Sequence, residues 1–118
     1  MADIVASDVA VTVMNRRIEG VAGDKQVVIA KLVFGNGTLT YDQTGGIPLP
    51  AFTSFGMYKG VDYFEVIDLG ASAYWWNIGY GTTAIRGYIA NGTTGLREQI
   101  ADNSTPVAQT IYVRAVGW

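Results

Sequence analysis

Short runs of apolar and β-branched residues recur along almost the whole of this chain, and the first of them alternates with a period of two. Val9, Val11 and Val13 set the pattern at the start, and this spacing sends successive side chains to opposite faces of a strand. Residues 25–34 are rich in β-branched side chains, and 38–41, 61–68, 73–78, 83–91 and 109–116 have the same character. Turn signals separate these runs: Gly23-Asp24, Asn36-Gly37, Gly45-Gly46, Gly79-Tyr80-Gly81 and Asn91-Gly92. Asn-Gly suits a tight hairpin in which two successive residues take positive φ. The pattern predicts an all-β fold, a small antiparallel β-sandwich or barrel of about seven or more short strands. Residues 8–118 are expected to form a single β domain. Residues 1–7, small and acidic, precede the first alternating run and are expected to be an N-terminal arm outside the core.

Two stretches depart from the pattern. Pro48 and Pro50 cannot donate ladder hydrogen bonds, so residues 45–50 belong in a loop or at a sheet edge. Pro50 is placed to open a short helical turn through residues 51–55. Residues 94–106 form the most polar long connection, where one irregular helical turn is expected.

Aromatic side chains complicate the two-face pattern. Tyr74, Trp75 and Trp76 are consecutive, so on a strand Trp75 points away from the other two. Tyr74 and Trp76 together bring more volume to a core face, which predicts that Trp75 is the outward ring. Tyr63-Phe64 and Ile111-Tyr112-Val113 repeat the arrangement. Tyr63, Tyr74, Trp75, Trp76 and Tyr112 are therefore the candidate interface residues. Rings on an outer face need a cover, which is a loop or the N-terminal arm, a second subunit, or a ligand such as a carbohydrate.

Charge is sparse: 15% of residues are Asp, Glu, Lys or Arg, against about 25% in a typical domain. Some surface must then be covered by Tyr, Thr, Asn and Gly or by partner chains. The net charge is −2 and the only adjacent basic pair is Arg16-Arg17, which argues against a nucleic-acid partner. Apolar runs fall short of the roughly 20 residues that span a bilayer, and the start of the chain lacks a basic n-region. No membrane partner and no secretory signal are expected.

The chain contains no cysteine and no histidine. Disulfides, thiolate zinc sites and every Ser-His or Cys-His nucleophile pair are excluded. Residues 79–84, Gly-Tyr-Gly-Thr-Thr-Ala, formally match a dinucleotide fingerprint. That site needs a helix to follow, and residues 85–89 have strand character instead. Asp62, Glu65 and Asp68 are the densest carboxylates. On a strand Asp62 and Asp68 share a face but stand roughly 20 Å apart, too far for a glycosidase pair. Asp102-Asn103-Ser104 offers too few oxygens for calcium. No catalytic residue, cofactor or metal is expected. Three Asn-x-Ser/Thr sequons occur, at Asn36, Asn91 and Asn103, the first two better explained as turns.

Residues 33–41, Val-Phe-Gly-Asn-Gly-Thr-Leu-Thr-Tyr, are followed by Gly45-Gly46-Ile47-Pro48-Leu49. Near the end, Gly95-Leu96-Arg97-Glu98-Gln99-Ile100 precedes Thr105-Pro106-Val107-Ala108 and the run Thr110-Ile111-Tyr112-Val113-Arg114-Ala115-Val116-Gly117-Trp118. These segments, with the strand at 61–68 between them, resemble the head decoration (capsid cement) proteins of tailed bacteriophages. The likeness covers most of the chain from about Arg16 onward and consists of turns and strands rather than catalytic groups. Asp42-Gln43-Thr44 departs from it, standing where a proline is common. The resemblance implies a structural protein of the virion, on the outer surface of an icosahedral capsid. It implies a homotrimer whose partners are its own copies and the major capsid protein, bridging neighbouring capsomers. A tail, fibre or receptor-binding component is the alternative within virions, and a carbohydrate-binding module the alternative from another class.

Overall fold

The computed structural model describes residues 2–19, 25–70, 74–79 and 82–118. Among them eight strands form two antiparallel four-stranded sheets. The first sheet has the order β1 (Ala10–Glu19), β2 (Lys25–Phe34), β8 (Gln109–Gly117), β4 (Val61–Asp68). In the second, β6 (Ala84–Ala90) is central. It pairs with β5 (Trp75–Ile78) along one side, and with β3 (Ile47–Pro48) and β7 (Arg97–Gln99) along the other.

Period-two patterning explains the sandwich. Val28, Ala30 and Leu32 of β2 stand opposite Ala115, Val113 and Ile111 of β8, and all six are buried. Phe64 of β4 joins the same face opposite Ala115. The second sheet answers with Ile47, Ile78 and Ile85 in one row and with Trp76.

Trp76 is the centre of this core. Its ring meets Phe34 edge-on at 4.9 Å and Tyr41 at 6.2 Å, and its Nε1 donates to Gln109 Oε1 at 3.2 Å. Opposite it on β6 is Gly87. A Cβ there would stand 2.6 Å from Trp76 Cζ3 and closer still to Ile100, so the indole occupies the space a side chain would take. Between β3 and β7 the edge of β6 has no strand partner. Tyr41 fills the gap: its hydroxyl accepts the Gly87 N–H at 3.1 Å and a Gln99 Nε2–H at 2.7 Å. A buried amide is thereby satisfied without a ladder.

Several expectations hold. Pro48 lies on an edge strand, and a 3-10 turn runs Phe52–Phe55 with Phe55 buried. Gly79 O accepts the Thr82 N–H at 3.0 Å, and strand β6 rather than a helix follows. Gly23, Asp24, Tyr80 and Gly81 lie outside the described residues.

Others are corrected. Residues 38–41 are not a strand. Asn36 Oδ1 gathers the Thr38 N–H, the Thr38 hydroxyl and the Leu39 N–H, folding the segment into a turn, and Thr40 alone forms a bridge, to Asp3. Asn91 Oδ1 does the same for the N–H groups of Thr93 and Thr94. Both Asn-Gly pairs thus turn through the side chain, and neither asparagine takes positive φ. Residues 94–106 contain β7 rather than a helical turn. The N-terminal segment, expected outside the core, docks on it. Ile4 is buried, its N–H donates to Thr40 O at 2.9 Å, and Thr40 N–H donates to Ala2 O at 2.9 Å. One apolar side chain, two backbone bonds and the Thr40 hydroxyl, which lies within donating distance of Ala2 O and Asp3 Oδ1, fix it. No helix among the described residues is long and apolar enough to cross a membrane.

Candidate functional site

The consecutive aromatics separate as strand geometry requires. On β5, Trp76 and Ile78 are buried while Trp75 and Asn77 are exposed, Trp75 by 47%. Trp76 is therefore a core residue and leaves the set of surface candidates. Tyr74, just before the strand, is half-buried with its ring 5.6 Å from that of Trp76.

Trp75 shares its face with residues of β6 and β7. Tyr88 lies opposite Trp75, Arg86 opposite Asn77, and Arg97 opposite Ala90. The Arg97 guanidinium sits 4.6 Å from the Tyr88 ring centroid, a cation–π contact. Arg86 Nη1 donates at 3.2 Å to the carbonyls of Gln43 and Thr44, which anchors it beside the same face. The strands that build this face place two arginines, a tryptophan, a tyrosine and an asparagine on it, with no carboxylate among Trp75, Asn77, Ala84, Arg86, Tyr88, Ala90, Arg97 and Gln99.

Tyr63 and Tyr112 lie elsewhere, on the outer face of the first sheet. Tyr112 stands between Lys31 and Asp68, and Arg114 between Ile29 and Glu65. Arg114 Nη2 approaches the Tyr63 hydroxyl at 3.5 Å, and Arg114 Nε is buried without a hydrogen-bond partner. The structure therefore does not gather the five aromatic candidates into one site. It puts Trp75 on one outer face, Tyr63 and Tyr112 on the other, and Trp76 in the core with Tyr74 packed against it.

The carboxylates of β4 are dispersed. Asp62 pairs with Lys25 at 3.0 Å, and Lys25 Nζ lies 4.8 Å from the Trp118 ring centroid. Asp68 Oδ1 accepts the Gly70 N–H at 2.7 Å. Glu65 is exposed, and Ile67, at the bulge between Val66 and Asp68, is 47% exposed on the same side. Among the described residues no cluster of three or more carboxylates is placed to hold a metal ion. A cleft of about 380 Å³ opens between the 3-10 turn and the start of β4, bordered by Leu49, Phe52, Tyr63, Phe64 and Thr83.

Comparison with known proteins adds no relative. No protein-family model, no curated protein and no solved structure matches this chain.

Residue-by-residue reasoning missed Tyr88, Arg86 and Arg97 as neighbours of Trp75. The alternation within β6 marks Arg86 and Tyr88 as sharing a face. Pairing two strands in register is what adds Trp75, and no local signal supplies it. Arg97 was hidden because its strand is three residues long and lies in a polar connection.

Proposed function

We propose that this protein is a structural component of a tailed-phage virion, a decoration protein that binds the outside of the capsid and bridges neighbouring capsomers. The observation that carries this is the outward Trp75 on a sheet face with Tyr88, Arg86 and Arg97. A half-exposed indole on a rigid strand is a surface for packing against another protein. The resemblance supplies the virion, and its two halves meet in the fold. β2 pairs with β8, Gly37 N–H donates to Pro106 O at 2.9 Å, and Tyr41 N–H donates to Ser104 O at 2.7 Å. The shared turns thus form a single scaffold, in keeping with a family alike in shape rather than in catalytic groups. Self-association, as a trimer, belongs to the same proposal.

Immunogold labelling of virions from a phage encoding this chain tests the placement. Gold over the head surface is the predicted result. Gold confined to the tail would instead make the chain a tail or fibre component. Trp75 beside Asn77 also fits a sugar-stacking platform. Saturable, Trp75-dependent binding on a glycan array, with heads unlabelled, would replace the assembly proposal with that one.

A further inference from the structure

Two surfaces of this protein each carry an apolar centre flanked by charges, and the charges are of opposite sign. On the second sheet, Arg86 and the position of Arg97 (opposite Ala90) are separated by four residues along β6, with Tyr88 and its partner Trp75 between them. That separation is about 13 Å at roughly 3.3 Å per residue. On β4, Glu65 and Asp68 stand opposite Arg114 and Tyr112, two residues apart on β8, with the outward Ile67 in the bulge between them, a span of about 7 Å. The Arg97 guanidinium leans back over Tyr88, which narrows the spacing of the two cations. One surface reads cation, aromatic, cation. The other reads carboxylate, aliphatic, carboxylate.

The geometry points to a contact between two copies of this chain in which the β4 edge of one copy docks on the Trp75 face of the next. Ile67 packs on the Trp75 indole. Glu65 and Asp68 meet Arg86 and Arg97, whose guanidinium groups can each hold a carboxylate through two parallel N–H donors. Both arginines are held at the face already, Arg86 by the carbonyls of Gln43 and Thr44 and Arg97 by the Tyr88 ring. Preorganised side chains lose less freedom on binding. Glu65 also has Arg114 opposite it within its own sheet, but that arginine is turned toward the Tyr63 hydroxyl. A second copy is the occupant because each copy carries both halves of the match.

The two surfaces differ, so the contact is heterologous. Such contacts run head to tail and close into a ring when the rotation allows. In a ring every copy makes two such contacts. This inference rests on the proposed self-association and names its surface.

The test uses the full chain and two variants at exposed positions, Arg97→Glu on the face and Ile67→Arg on the edge. Circular dichroism and thermal melting establish that both remain folded, with Trp75→Ala as a second face variant should Arg97→Glu fail to fold. Native mass spectrometry and sedimentation then read the assembly up to high micromolar concentration. Wild type is expected to form closed oligomers. Each variant alone should associate about tenfold or more weakly. Mixed together, they should give a capped dimer, because the intact edge of the face variant fits the intact face of the edge variant. A contact of either surface with its own copy cannot give that result, and closed oligomers larger than a dimer in the wild type separate the head-to-tail contact from a two-fold one. If wild type assembles and the variants assemble equally well, or if their mixture stays monomeric, this contact is wrong while self-association stands. If wild type is monomeric throughout, both fail.

Discussion

At the residue scale, Trp75 and Trp76 are neighbours in sequence with opposite environments. Trp76 is 2% exposed and packs on Phe34, Tyr41 and Gly87. Trp76→Ala should cost about 3–5 kcal/mol, measured as a lower urea midpoint with an unchanged slope. Trp75 packs only partly, so Trp75→Ala should stay within about 1 kcal/mol of wild type while weakening association. Equal, large losses for the two would remove the basis for assigning Trp75 to an interface. Tyr41 offers a second test. Its hydroxyl satisfies Gly87 and Gln99 at the gap in the β6 edge. Tyr41→Phe keeps the ring and strands the buried amide, so a loss of about 1–3 kcal/mol is predicted. Urea unfolding of the variant checks it, and a neutral outcome would mean that water takes over the hydroxyl's place.

At the element scale, the period-two pattern made most strands legible. Residues 25–34 and 61–68 match β2 and β4 at both ends, because β-branched and aromatic residues fill these runs and glycines lie close to their ends. What stayed hidden depended on partners distant in sequence. Thr40 takes its backbone partners from Ala2 and Ile4 rather than from a strand, and β7 exists because β6 offers an edge to three residues that look like loop. The direction of Trp75 was legible from parity together with the larger volume that Tyr74 and Trp76 bring to one face. Its companions Tyr88 and Arg97 were not, since strand register is a tertiary property. The N-terminal segment carries the corresponding prediction. Deleting residues 2–7 removes the buried Ile4 and its bonds to Thr40. Stability should fall by about 2–5 kcal/mol in chemical denaturation, by analogy with truncating one buried isoleucine. An unchanged midpoint would restore the segment to the status of a free arm.

At the scale of the whole molecule, two sheets share one core and leave two unlike outer faces, one basic and aromatic, the other of mixed charge and edged by Glu65 and Asp68. With a net charge of −2, little long-range repulsion keeps copies apart. Short-range complementarity then governs association. On the proposed reading, copies that hold one another through the Trp75 face would bind a capsid through several simultaneous contacts, and weakening the contact between copies would weaken attachment as a whole. The most direct measurement is co-sedimentation of purified protein with undecorated shells assembled from the major capsid protein of the same phage, for wild type and for Trp75→Ala. The account predicts saturable binding by wild type, and binding about tenfold or more weaker by a variant whose urea midpoint is nearly unchanged. Wild type that fails to sediment with the shells, or a Trp75→Ala protein that saturates them as readily, would contradict it.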